Sequence, residues 1–280
     1  MIDVIIDTLM DSIKLLPFLF LAFLLIEILE HKLSSKSKKI IEKETKYGPI
    51  IGGVLGIIPQ CGFSVMATNL YVTRIITIGT LIAVYLSTSD EMLPILLSEH
   101  VDISIIVKIL LIKLFIGILA GFIIDFIVSK KNIVKEEYDI CEEEHCHCEK
   151  GLIHSTLVHT FKSLIFIMIV TFILNILMHY VGENAISKIF MKDNIFASLL
   201  TSLVGLIPNC GASIMLSELY IKGAISFSST IAGLLTGSGV ALLVLFRTNK
   251  NIKENIWILS AVYLIGAFSG IIIEIIERLI

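Results

Sequence analysis

Charge is what this sequence has least of. Asp, Glu, Lys and Arg make up 17% of its 280 residues, against roughly 25% in a soluble domain, and more than half of the chain is apolar. So little polar surface excludes an ordinary water-soluble globule and places the chain in lipid. A net charge of −3 gives no basis for a nucleic-acid partner. Cysteine is also sparse: two of the five stand in apolar surroundings and three in one polar loop, which is not an extracellular disulfide framework. No Cys-x-x-Cys pair, nucleotide fingerprint or P-loop occurs, so the chain is not itself an ATPase, and no enzyme activity is expected. The leading residues carry Asp3, Asp7 and Asp11, with no small-residue cleavage site after them. A secretory signal wants positive charge there, so the first apolar stretch is read as a retained helix.

What is abundant is long hydrophobic runs, near residues 12–29, 75–97, 103–128, 157–180, 224–246 and 256–276. Each approaches the roughly 20 residues that a helix needs to cross about 30 Å of hydrocarbon, and unpaired backbone in lipid leaves helices as the solution. The chain is also duplicated. Gly56-Ile57-Ile58-Pro59-Gln60-Cys61-Gly62-Phe63-Ser64-Val65-Met66 is matched by Gly205-Leu206-Ile207-Pro208-Asn209-Cys210-Gly211-Ala212-Ser213-Ile214-Met215, 149 residues on. Without a gap, Leu70-Tyr71 then meets Leu219-Tyr220, Ile82-Ala83 meets Ile231-Ala232, and Ser89 meets Ser238.

The segments carrying this repeat, about 48–72 and 197–221, are broken in the middle by Pro, an amide side chain and Gly. Proline removes a backbone donor, and glycine permits the positive φ that a reversal needs. Each arm, about 10 residues and so about 15 Å as helix, reaches the bilayer midplane. A re-entrant hairpin fits these lengths; one Pro-kinked spanning helix is the alternative. Cytoplasmic loops are enriched in Lys and Arg, and the hairpin reading gathers the lysine-rich loops on one side. The expected fold is therefore an all-α polytopic membrane protein of two inverted-topology repeats, each with three spanning helices and one broken re-entrant hairpin. Residues 1–128 and 156–280 form the repeats, and 129–155 the connector. In a cell membrane, residues 30–47 and 129–155 would be cytoplasmic and both termini outside. In secondary transporters built on this plan, helix interruptions mark the binding site.

The interruptions offer thiols, amides and hydroxyls: Gln60, Cys61 and Ser64 in one copy, Asn209, Cys210 and Ser213 in the other. Ser64 and Ser213 are placed to cap the returning arms, whose dipoles could lower a nearby thiol pKa. Thiolates favour soft or borderline ions and thiophilic metalloids. The plainer reading is that small residues let helices pack closely. The next span carries Ser89-Asp90-Glu91 where its partner has Ser238-Gly239-Val240. Ionised carboxylates in mid-membrane cost roughly 2.5–3.5 kcal/mol each, so Asp90 and Glu91 should line a cavity, bind a cation or be protonated, unless they sit near the headgroups. Lys113 is a possible counter-charge, although Lys108 and Lys113 could equally snorkel to the interface. Asn69 and Glu218, at matching positions on the returning arms, are candidates to face the same cavity. In the acidic connector, Cys141, His145, Cys146, His147 and Cys148 could assemble a borderline-metal capture site; a solvated linker with incidental His and Cys is the alternative.

Together the paired Pro59-Gln60-Cys61-Gly62 and Pro208-Asn209-Cys210-Gly211, Thr88-Ser89-Asp90-Glu91 and the His/Cys-bearing connector resemble the ten-transmembrane heavy-metal exporter family, also called arsenic efflux proteins or manganese transporters. The resemblance covers nearly the whole chain, and six spans plus four hairpin arms make the ten segments it implies. It implies export of a heavy metal or metalloid, arsenite first, with Cys61 and Cys210 as ligands and Asp90 or Glu91 coupling to protons. Manganese is the alternative cargo, bound by the carboxylates, amides and carbonyls. Anion transport on helix N-terminal dipoles and a membrane thiol oxidoreductase are the other classes considered. The expected partners are a small inorganic ion or metalloid and the lipid bilayer, with a homo-oligomer left open. No permanently bound cofactor is implied, only a metal that is transported or captured.

Overall fold

The computed structural model describes residues 47–58, 61–89, 92–129 and 196–279, together with 16–17, 20–21, 24, 156–157, 160–161, 164–165, 168–169 and 172. Ten helices are bounded in it: α1 Gly48–Gly56, α2 Cys61–Val72, α3 Ile78–Ser87, α4 Met92–Ser98, α5 Ile103–Ser129, α6 Phe196–Gly205, α7 Cys210–Ile221, α8 Phe227–Thr236, α9 Ala241–Thr248 and α10 Ile252–Leu279. Among the described residues there is no strand. The second set repeats the first: α7 to α10 begin 149 residues after α2 to α5, the offset of the sequence repeat. Residues 78–98, 103–128, 227–248 and 252–279 are long and apolar enough to cross a bilayer. The first and fourth expected spans, 12–29 and 157–180, fall largely outside the described residues.

In each half, one helix is sandwiched between two others: α3 packs on α1 and α5, and α8 on α6 and α10. Small residues make this closeness possible. A side chain added at Gly117 of α5 would start 3.0 Å from the Ala83 carbonyl, and one at the equivalent Gly266 of α10 the same distance from the Ala232 carbonyl. Such small-residue seams let helices approach where lipid supplies no hydrophobic drive. The start of each sandwiched helix is capped alike, Thr77 Oγ1 accepting from the Thr80 amide and Ser226 Oγ from the Ser229 amide.

The ends of the long helices fix the frame. Where α2 gives way to α3, Asp125 near the end of α5 accepts from Thr77 Oγ1 at 2.7 Å and the Gly79 amide at 2.8 Å. At the same place, Glu254 at the start of α10 is held by Arg74 at 2.7 and 3.0 Å and by the Tyr71 hydroxyl. Where α7 gives way to α8, Ser228 donates to Glu274 near the end of α10, and the Lys108 ammonium near the start of α5 lies 4.9 Å from the Phe227 ring centre. Between halves the contacts are reciprocal: α2 meets α9, α7 meets α4, and α3 meets α8. The α3 and α8 side chains are buried, whereas α5 and α10 turn large apolar residues such as Phe115, Phe126, Phe268 and Ile272 outward, the surface that lipid requires.

The runs near 75–97 and 224–246 are long and apolar enough to span, as expected, but each is interrupted, α3 ending at Ser87 before α4 begins at Met92, and α8 ending at Thr236 before α9 begins at Ala241. No proline lies between α3 and α4 or between α8 and α9, but Pro94 in the first turn of α4 has no amide with which to continue the ladder; in the second half Gly237-Ser238-Gly239 stands at the break. Gly62 and Gly211 do not supply the positive φ expected of them: both lie within helices, and the positive-φ residues described are Arg74, His100, Gly223 and Gly239.

Candidate functional site

The site follows from the four interruptions. A helix that stops inside a protein leaves its last carbonyls and first amides without intrahelical partners, so polar groups must gather there. In the first half the Ser89 hydroxyl donates to the Ile57 carbonyl at 2.5 Å, joining the α3–α4 interruption to the end of α1. In the second, Gly237 leaves room for Ser213, whose Oγ would be 3.1 Å from a side chain placed there, and Thr236 Oγ1 donates to the Ser202 carbonyl at 2.8 Å. The halves are joined across the middle. The Tyr85 hydroxyl donates to Thr68 Oγ1 at 2.7 Å, since Thr68 gives its own proton to the Ser64 carbonyl, and it lies 3.4 Å from the Ala241 carbonyl. Lys113 Nζ donates both to the Thr88 carbonyl and to the Leu234 carbonyl.

Of the expected site residues, Ser64, Ser89, Asn209, Ser213 and Ser238 are buried within this region. Ser238 Oγ has no hydrogen-bond partner among the described residues, so a donor or acceptor is wanting there. Gln60, Asp90, Glu91, the side chains of Cys61 and Cys210, and the connector residues Cys141, His145, Cys146, His147 and Cys148 lie outside the described residues. The backbone at Cys61 and Cys210 is described, and each opens a helix, α2 and α7, where a helix N-terminus favours a thiolate. Among the described residues, no three of His, Cys, Asp and Glu come together to hold a metal.

The capping expectation is corrected. Asn209, in extended conformation, caps α7 by accepting from the Gly211 amide at 3.2 Å, so Ser213 lies a turn inside the helix. Ser64 lies inside α2 in the same way, its carbonyl accepting from Thr68 Oγ1. The pair Asn69 and Glu218 also separates. Asn69 is fully buried with both amide atoms unmet among the described residues, whereas Glu218 is exposed and pairs with Lys222 at 3.2 Å.

Lys113 does not snorkel; it is 1% exposed. Sequence reading left it undecided because a lysine in an apolar helix looks alike in both roles. Tyr85 and Thr68 are hidden for another reason: one polar atom in an apolar run gives no sign of which way it points. Arg74, in the turn between α2 and α3, has its pKa raised above the ordinary arginine value, first by its hydrogen bonds to Glu254.

Apolar helices wrapped around buried polar interruptions define a polytopic α-helical membrane protein. Residues 1–181 and again 166–279 match the family described as "Putative, 10TM heavy-metal exporter". The chain belongs to that family. No curated protein and no solved structure matches it.

Proposed function

We propose that the chain is a secondary transporter that exports a heavy metal or metalloid, arsenite in the first instance, from a site between two inverted repeats. The observation that carries this is the crossed set of contacts at the helix ends. Helix α5 has its start beside Phe227 and its end beside Thr77 and Gly79, whereas α10 starts beside Arg74 and ends beside Ser228. Arg74 and Thr77 are three residues apart, and Phe227 and Ser228 are neighbours. Equivalent helices running in opposite senses account for both sets, and opposite senses are the mark of an inverted repeat.

The same reasoning favours re-entrant hairpins. Gly48 at the start of α1 abuts Thr80 near the start of α3, and Gly56 at its end abuts Ser87 at the end of α3. The following helix, α2, finishes at Tyr71, close to where α1 began. Repeats 1–128 and 156–280 would thus dip one hairpin each from opposite faces, with the connector 129–155 and residues 30–47 on the cytoplasmic face and both termini outside.

The tips then bring Cys61 and Cys210 toward one another, with Gln60, Asn209, Ser64, Ser213, Ser89 and Ser238 around them. Two thiols suit trivalent arsenic better than a hard cation. Asp90 or Glu91 would carry the coupling proton, and Cys141, His145, Cys146, His147 and Cys148 would capture metal at the cytoplasmic entrance.

A metal panel tests this in cells that lack their own exporters. The double variant Cys61→Ser/Cys210→Ser is expected to abolish arsenite resistance and efflux while Asp90→Asn/Glu91→Gln slows both. Manganese efflux that survives loss of the thiols but not of the carboxylates would overturn the arsenite assignment in favour of manganese.

A further inference from the structure

Tyr71 and Arg74 belong to the first half and Glu254 to the second, and they meet at the end of the molecule where α5 runs into residues 129–155. Glu254 Oε1 accepts from Arg74 at 2.7 Å and from the Tyr71 hydroxyl, and Oε2 accepts from Arg74 at 3.0 Å and from Asn249 at 3.3 Å. Asn249 is buried and tied in turn to Asn255, its Nδ2 donating to Asn255 Oδ1 at 2.8 Å and its carbonyl accepting from Asn255 Nδ2 at 2.8 Å. One carboxylate is thus held from both halves and backed by two buried amides.

The repeat shows that the fold does not require this network. The residues 149 positions away from Arg74, Asn249, Glu254 and Asn255 are Gly223, His100, Ile105 and Ile106. Gly223 closes its helix with the same backbone bonds as Arg74, so the guanidinium does not serve the turn. Arg74 instead bears a left-handed φ of 61°, and such strain in a residue other than glycine gathers at switch regions. Parting the halves here breaks both charge-assisted hydrogen bonds at once and leaves a partly buried charge on each side without its partner. Rocking of one half against the other is how inverted repeats open a central site to one face at a time.

We propose that the Arg74–Glu254 network is a latch that holds this end of the seam between the halves shut and has to break for that end to open. The proposal rests on the transporter reading for what opens there, and not on the cargo.

Single cysteines at Ile258 and Ile109 report on the two ends. Ile258 lies one turn beyond Glu254 on α10, Ile109 is its equivalent near the start of α5, and both are fully buried. In the full-length protein in lipid nanodiscs, a bulky charged maleimide modifies each at a rate read by mass spectrometry on the peptide that carries it, which tests the latch without transport. Adding Arg74→Gly to Ile258→Cys should speed labelling about tenfold, the factor that one lost charge-assisted hydrogen bond brings, and Glu254→Gln should do the same. Neither should speed labelling of Ile109→Cys. The swap Arg74→Glu/Glu254→Arg should return Ile258→Cys most of the way to its parent rate. Equal acceleration at both positions would mean general loosening and overturn the latch; so would no acceleration at Ile258→Cys, or a swap as fast as Arg74→Gly. Gly223 shows that glycine closes this turn, so Arg74→Gly should fold; should it not, Glu254→Gln and the swap decide. Slower labelling of Ile109→Cys when the latch is cut supports halves that alternate, whereas an unchanged rate there counts against the transporter reading and leaves the latch standing.

Discussion

Arg74 holds a left-handed backbone, φ 61°, where the other half of the molecule has Gly223 at φ 67°. Both close their helices, α2 and α7, in the same way. The Arg74 amide bonds to Tyr71 O and the Ile75 amide to Leu70 O; the Gly223 amide bonds to Tyr220 O and the Ala224 amide to Leu219 O. Glycine is the residue this helix ending prefers, and any other costs about 1 kcal/mol. Arginine is tolerated because its guanidinium holds Glu254 with two hydrogen bonds, each to a charged group and each contributing about 1.5–3 kcal/mol when well buried. This pair is only partly buried, so the lower end applies. Gly223→Ala is therefore expected to cost about 1 kcal/mol, a fall of roughly 2–4 °C in melting midpoint. Arg74→Gly should lose about 2 kcal/mol net, the two bonds at that lower end less the strain it relieves. Melting of the purified variants checks both, and an Arg74→Gly protein more stable than wild type would show the ion pair to contribute nothing.

At the scale of elements, the duplicated proline, amide and cysteine runs made the hairpin interruptions legible, because proline and a polar amide inside an apolar stretch have few other uses. The interruptions of α3–α4 and α8–α9 were less legible, although Pro94 stands just after the first. Thr88-Ser89 and Gly237-Ser238-Gly239 do not forbid a helix; what opens the ladder is the partner each freed group finds, such as Ser89 on Ile57 O or Lys113 on Thr88 O and Leu234 O. Such partners lie dozens of residues away and leave no local trace. Importance read from the repeat and importance read from packing also differ. Gly211 belongs to the repeated motif, yet a side chain there would meet nothing nearer than 3.6 Å. Gly117 and Gly266 lie outside the motif, and there the opposing carbonyl is 3.0 Å away. Gly211→Ala should accordingly be folded and within about 1 kcal/mol of wild type. Gly117→Leu and Gly266→Leu should each wedge a long helix off its neighbour and sharply reduce the yield of monodisperse protein on size-exclusion chromatography. Loss of Gly211→Ala together with tolerance of both leucines would reverse the ranking.

For the whole molecule, the proposed inverted arrangement makes a claim about sidedness that composition alone could not make. The end of α5 lies beside Thr77 and Gly79 and is followed directly by the connector, while the end of α10 lies beside Ser228 at the opposite end of the long helices. If the two halves are inverted, the connector and the C-terminus must face opposite compartments, whichever of them is the cytoplasm. The positive-inside rule then assigns the cytoplasm to the connector, since Lys130, Lys131, Lys135 and Lys150 are in or near it. Applied to intact cells, an impermeant maleimide should leave Cys141, Cys146 and Cys148 unlabelled until the membrane is permeabilised, whereas a cysteine introduced after Ile280 should label at once. Labelling of both from outside would mean that the connector and the C-terminus share a face. The two hairpins would then enter from one side, and the shared site at their tips would have no geometric basis.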